Sequence, residues 1–456
     1  MEIINSLLLL CCFLVPVIAV RRSNTVIVNP MTLLALQVLI GVTVKGLLMV
    51  WSWDSFNSRL LYWAVDRVVT ETVIFTTLFI VFVSYFYTFG KKKYDKSDLA
   101  DAMIIANRKP LYLKRTVLLS ILIFVVTAVI FLTQKGFGLG EFLSSEGFHS
   151  VQRNRSIRID DVRNFGATFA ATALFLKFGL FLFVSTAVIL YSNRSSGSLS
   201  KTIVFWLKIG LLFSFVCIML EIVVTGRRTF IVSYLLLGIG IASMLSFRTF
   251  FNIRKVLTYG ILGTITLFLF GLLTLGRQGS DLDNVAAATS ADSLIGTVIY
   301  GEYFLSISKL TVFIDSAVGV GLLYGSSYLD WIAGLVPRVF WPDKPAITLG
   351  PFIKAEFYGF SQGISGIPPT IIGESFLNFG WFGLLLAPFI GTILRKFEDF
   401  LLRPDIVAYK DGHIWYFCLI FPISYNMYQS SFSAAMINVI SQCGLLYIFL
   451  RLLRGR

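Results

Sequence analysis

The chain has little charge and almost no histidine. Only 14% of its 456 residues are charged, where a soluble globular chain carries roughly a quarter, so most of its surface is not built for water. Two histidines, His149 and His413, are too few for a histidine-built metal centre. The five cysteines (Cys11, Cys12, Cys217, Cys418 and Cys443) all fall inside apolar runs. They show neither zinc-like spacing nor a disulfide framework, and read as small hydrophobes. No Gly-rich phosphate loop ending in Gly-Lys-Ser/Thr and no nucleophile elbow is present. No internal repeat stands out, which weighs against an inverted-repeat transporter.

What the chain does have is apolar sequence: 56% of its residues are hydrophobic and its mean hydropathy is +0.80. Repeated runs of about 18 apolar residues or more identify an all-α polytopic membrane protein. Eleven spans are expected, at 3–20, 31–50, 67–90, 116–133, 165–191, 203–224, 229–247, 257–275, 371–391, 414–432 and 433–450. The first is expected to be retained, because Arg21 and Arg22 follow it, no basic residue precedes it, and no small-x-small cleavage site appears.

Basic residues orient the spans. The loops 21–30, 91–115, 192–202, 248–256 and 392–413 and the tail 451–456 hold 22 Lys and Arg, against 14 in alternate loops of much greater total length. The positive-inside rule therefore places the first set in the cytoplasm, the amino terminus outside and the carboxyl terminus inside. It also accounts for the net charge of +14 without nucleic acid. The expected organisation is spans one to eight over 1–275, with an external loop at 134–164, then a long external loop over 276–370, and spans nine to eleven over 371–456. Within the long loop, 293–335 mixes apolar stripes with Glu302, Lys309 and Asp315, as amphipathic helices at the outer interface do.

External cations run against that rule and so carry information. Arg153, Arg155, Arg158 and Arg163 bunch in the first external loop, Arg227 and Arg228 fill a tight external turn, and Arg277 ends span eight. Cations converging on one outer face suit a phosphate or diphosphate, which arginine grips bidentately. Singly, each also reads as an interface anchor paired with Asp160, Asp161, Asp281 or lipid phosphate. Lys45, Lys177 and Lys208 lie within spans, where charge is costly and marks function or a transport path. The acidic pair in DLD, 281–283, is too short a match to signal a metal. His149 reads as an ordinary external loop histidine and His413 as a cytoplasmic one.

The stretch GIPPTIIGESFLNFG, 366–380, opens span nine. Pro368 and Pro369 suit a first helical turn, whose free N–H groups would face outward and favour an anion. Glu374, Asn378 and Trp381 follow at i, i+4 and i+7 and so share one helix face. Glu374 reads equally as a base for a hydroxyl, as the holder of a catalytic arginine, or as half of a structural Glu–Arg pair. Upstream, PRVFWPDKPAITLGP (337–351) is a proline-rich hinge with Arg338, Asp343 and Lys344 among aromatics.

FWPDKP (340–345) followed by GIPPTIIGESFLNFGWFG (366–383), in a polytopic chain with a long external loop, resembles the O-antigen polymerases, the Wzy-type oligosaccharide repeat-unit polymerases of bacteria. GRR at 226–228 and LGRQG at 275–279 add to the likeness. Some members carry Arg-x10-Gly in two external loops; Arg155 and Gly166 have that spacing, while Arg338 misses it by one. The resemblance implies a C-type membrane glycosyltransferase fold. It implies en bloc transfer of a glycan from undecaprenyl diphosphate to a lipid-linked repeat unit at the outer face of the inner membrane. It implies no nucleotide, metal or other cofactor, and a flippase and a chain-length regulator as partners. The sites expected on this reading are Glu374 and Arg277 as catalytic residues, with Arg227, Arg228, Arg338, Lys344 and Arg155 on the diphosphate and Asn378 and Asp343 in support. Tyr300, Tyr303, Tyr324, Trp331, Trp341 and Tyr358 are candidates to stack on sugars. The alternatives are an O-antigen ligase, which would favour an external catalytic histidine such as His149, and a lipid-linked oligosaccharide flippase or other transporter.

Overall fold

The computed structural model describes residues 2–23, 28–51, 70–89, 96–107, 111–134, 175–196, 199–225, 229–245, 305–336, 340–341, 348–359 and 366–455. Every regular element among them is helical. Seven of these helices are long and apolar enough to cross a membrane: Glu2–Val20, Pro30–Trp51, Thr70–Thr88, Leu113–Ile130, Lys201–Glu221, Thr370–Leu401 and Phe432–Arg454. Each matches an expected span. The expected span at 257–275 lies outside the described residues, and the one at 165–191 is described from residue 175.

The chain divides into two compact units, the first over 1–93, 296–400 and 420–440, the second over 94–295, 401–419 and 441–456. In the first, α1 (Glu2–Ser23) packs along α4 (Thr70–Thr88), with Cys12 Sγ 3.1 Å from Thr77 Oγ1. α2 (Pro30–Val38) starts under an Asn29 cap, whose side chain accepts the Thr32 N–H at 2.9 Å. It then widens into a π turn over Leu39–Val44 before α3 (Lys45–Trp51). α10 (Ile307–Val320) follows the second unit's helices in chain order. All residues from 305 to 314 are buried. The amphipathic stretch expected at the outer interface is here a helix inserted into the unit's core, against α3, α4 and α13 (Thr370–Phe379). Gly373 makes that insertion possible, since a Cβ there would meet the Phe313 ring at 2.7 Å.

In the second unit, α5 (Lys96–Asn107), α6 (Leu113–Gln134), α7 (Phe178–Ser196), α8 (Lys201–Thr225) and α9 (Thr229–Leu245) form a helical bundle. Small residues permit the close contacts: a Cβ on Gly210 would meet Thr186 at 2.8 Å, and one on Gly179 would meet Cys217 at 3.0 Å. Between these apolar faces Lys177 pairs with Glu221 at 3.3 Å, and the Tyr234 hydroxyl donates to the same carboxylate at 2.5 Å.

Three short helices, α11 (Asp330–Gly334), α12 (Gly350–Glu356) and α15 (Pro404–Lys410), lie between longer ones. The tenth expected span is interrupted, while the eleventh is one continuous helix. α16 (Gly412–Ile420) passes through a π turn at Phe421–Tyr425 into α17 (Asn426–Gln429), and the chain then breaks at Ser430 and Ser431 before α18 (Phe432–Arg454). Pro422 lies in the π turn and has no N–H to continue an α ladder. Span nine is likewise two helices, α13 and α14 (Leu386–Leu401), joined by a 3₁₀ segment over Gly380–Leu385.

Candidate functional site

α13 begins with a strained residue. Pro369 stands at the cap position and Thr370 takes φ +65, a left-handed conformation a β-branched residue rarely adopts. Thr370 Oγ1 compensates locally by accepting the Gly373 N–H at 3.3 Å. The two prolines thus precede the helix rather than forming its first turn.

One helical turn on, Glu374 and Asn378 project from the same face of α13, both completely buried. Glu374 Oε1 accepts from the Ser327 hydroxyl at 2.8 Å, and Oε2 accepts from the Phe432 N–H at 2.6 Å. Ser327 Oγ in turn accepts from Asn378 Nδ2 at 2.8 Å, while Asn378 Oδ1 takes the Gly325 N–H at 2.9 Å. Ser433 completes the set: its hydroxyl donates to the Ser327 carbonyl and its oxygen accepts the Trp331 N–H at 3.1 Å. Three stretches distant in sequence, 323–331, 374–378 and 432–433, are therefore closed into one polar knot.

The backbone joins in. Leu323 and Tyr324 donate to the carbonyls of Leu377 and Asn378 at 2.9 and 3.0 Å, groups at the carboxyl end of α13 that no helical N–H can reach. Gly380, at φ +57, ends the helix. That turn also shifts the register, so Trp381 leaves the face of Glu374 and Asn378. It is 44% exposed and meets Phe75 edge-on at 5.5 Å. The shared face expected for the three residues holds for two.

The charge of Glu374 is met in a way the spacing did not suggest. No arginine or lysine among the described residues pairs with it. Its partner instead is the first N–H of α18, a helix of 23 residues whose positive dipole end receives the carboxylate. The anion-binding end of a helix is thus occupied from within the chain. Beside it, the Tyr328 hydroxyl lies 3.2 Å from Ser375 Oγ. Burial, then the charge of Glu374, holds the Tyr328 phenol above its ordinary range. Burial also raises the Asp330 carboxyl.

An exposed rim runs along the 323–331 segment and beyond it in sequence. Tyr324 is 81% exposed and Phe340 80%, with Leu329, Ile332 and Trp341 also open. Tyr324 and Trp341 are thus accessible, while Trp331 and Tyr358 are half-buried. Arg277, Arg227, Arg228, Arg338, Lys344, Asp343, Arg155, His149, Tyr300 and Tyr303 lie outside the described residues. His413 is buried at the start of α16. Of the intramembrane lysines, Lys45 is buried and donates to Ser306 Oγ at 2.9 Å, Lys177 is paired with Glu221, and Lys208 is exposed about two turns into α8. No group of three His, Cys, Asp or Glu able to hold a metal occurs among the described residues.

Ser327, Ser433 and the Phe432 N–H carry no periodic signal in the sequence. The one available signal was the polar run SSFS, 430–433, set between two apolar stretches. Compared with known proteins, the chain matches no family model, no curated protein and no solved structure.

Proposed function

We propose that the chain is a membrane-embedded glycosyltransferase that polymerises lipid-diphosphate-linked oligosaccharide repeat units at the noncytoplasmic face of a bacterial inner membrane. The supporting observation is the polar knot around Glu374. Buried ionisable groups in a membrane chain are costly and mark functional places, and this one falls inside the 366–383 patch that resembles the O-antigen polymerases. It ties a loop segment expected on the outer face to α13 of the broken span nine and to the start of α18, and so would hold aromatic side chains beside the membrane.

On this reading Glu374 acts as a positioning residue. Both its oxygens are engaged by protein donors, so it holds the segment that receives substrate rather than taking a proton from it. The diphosphate falls to the external arginines, Arg227, Arg228 and Arg277, with Arg338 and Lys344 on the hinge and Arg155 in the shorter loop. Their charge would stabilise the departing diphosphate, where negative charge develops. Tyr324 and Trp341 would stack on sugars. The acceptor hydroxyl attacks the anomeric carbon, the sugar–phosphate bond breaks, and the lipid diphosphate leaves with its electron pair and takes up the hydroxyl proton, so no nucleotide is consumed.

A second reading, a lipid-linked oligosaccharide flippase, draws on the buried Lys177–Glu221–Tyr234 group within the spans. One assay separates the two. Purified protein in liposomes receives a lipid-diphosphate repeat unit without nucleotide, and both glycan length and transbilayer movement are measured. The polymerase reading predicts a ladder of glycans; movement with no ladder selects the flippase.

A further inference from the structure

The second unit carries an open cavity of about 570 Å³ where α6 and α8 begin side by side. Tyr112, Lys114, Arg115, Leu118, Thr202 and Trp206 line it. Lys114 and Arg115 are both exposed, and Lys114 Nζ lies 5.9 Å from the centre of the Trp206 ring, a cation–π separation. No acidic residue is among those lining it.

Three further features favour an anion here. Both helices point their amino-terminal, dipole-positive ends toward the cavity. The ladder of α6 opens with the Thr116 N–H on the Tyr112 carbonyl at 3.0 Å, so the N–H groups of Leu113, Lys114 and Arg115 precede it. The start of α6 is also anchored, because the Tyr112 N–H donates to the Leu453 carbonyl at 3.0 Å.

The wall then changes character along the helix axis. One turn below Lys114, Leu118 is exposed, and Phe205 beside Trp206 is exposed as well, where acyl chains would lie. Cations over a ring, followed by open apolar side chains, match a headgroup and its first methylenes rather than a free ion. The charge bias of the loops assigns this end of the spans to the cytoplasm, whose leaflet carries anionic lipid.

We propose that this cavity binds an anionic phospholipid of the cytoplasmic leaflet. Lys114 and Arg115 take the phosphate, and Leu118 and Trp206 cover the start of the acyl chains. The site is independent of the glycosyl-transfer reading and stands or falls without it.

The test is native mass spectrometry of the delipidated full-length protein in neutral detergent. It is titrated with phosphatidylglycerol, with phosphatidylcholine of the same chains, and with inorganic phosphate as competitor. A saturable adduct is expected with phosphatidylglycerol, at least tenfold tighter than with phosphatidylcholine and undisturbed by millimolar phosphate. Lys114→Ala with Arg115→Ala weakens it by roughly thirty-fold, as loss of two juxtamembrane cations should. Leu118→Trp keeps both cations but crowds the apolar end of the cavity, and is expected to weaken the adduct at least tenfold. Equal binding of the two lipids, or full binding by either variant, overturns the proposal. Displacement by inorganic phosphate also overturns it, because the site would then recognise an anion without its lipid.

Discussion

At the scale of single residues, two buried carboxylates are stabilised by different means. Glu221 has a cation, Lys177, and a phenol, Tyr234. Removing one partner of such a buried pair costs about 3–5 kcal/mol. Lys177→Met is therefore expected to lower the melting temperature in detergent sharply, and Lys177→Met with Glu221→Leu to recover most of the loss. Glu374 has no cation among the described residues and relies on a hydroxyl and a helix-end N–H. Leaving either donor unmade and buried costs about 1–3 kcal/mol. Ser327→Ala and Glu374→Gln should each destabilise by that order. Measured as a double-mutant cycle by thermal melts, they should be coupled by about 0.5–3 kcal/mol, since they share one bond. Additivity would mean the bond is not formed.

At the scale of elements, broken helices set the architecture. Gly380 adopts φ +57 and ψ −136 between α13 and the following 3₁₀ segment, a region that costs any other residue about 1–3 kcal/mol. Gly380→Ala is expected to destabilise by that amount and to loosen the 323–325 segment, read as faster hydrogen exchange at Leu323, Tyr324 and Gly325. A Cβ at Gly391 would meet the Val83 carbonyl at 2.3 Å, so Gly391→Leu should separate α14 from α4 and lower the melting temperature further. Helix existence is legible from apolar runs, and the shared face of Glu374 and Asn378 from their i, i+4 spacing. The breaks are not, because a hydropathy window averages over one positive-φ glycine or a π turn. For the same reason Trp381 was expected on a face it does not share. Ser327 and Phe432 were illegible because they reach Glu374 from 47 and 58 residues away, a distance at which periodicity carries no information.

At the scale of the whole molecule, the account depends on which face the rim occupies. From the charge bias, Lys91–Lys93 are expected inside and the long loop outside. In a cysteine-free background, Ser290→Cys should react with a membrane-impermeant maleimide on intact spheroplasts, and Ser97→Cys only after permeabilisation. The reverse pattern would place the rim in the cytoplasm, where the proposed donor is not presented for polymerisation. The buried helix over 307–314 also shows that the long loop is partly core, a point that composition alone obscured by alternating charge with apolar stripes.

Glycan polymerisation is to be measured with purified Glu374→Gln and Ser327→Ala proteins, each first shown by circular dichroism to keep its helices. Both are expected to form product at least tenfold more slowly than the parent chain, with the loss in kcat rather than KM. A full-length ladder at the parental rate from either variant would contradict the account, because transfer would then proceed with the knot undone.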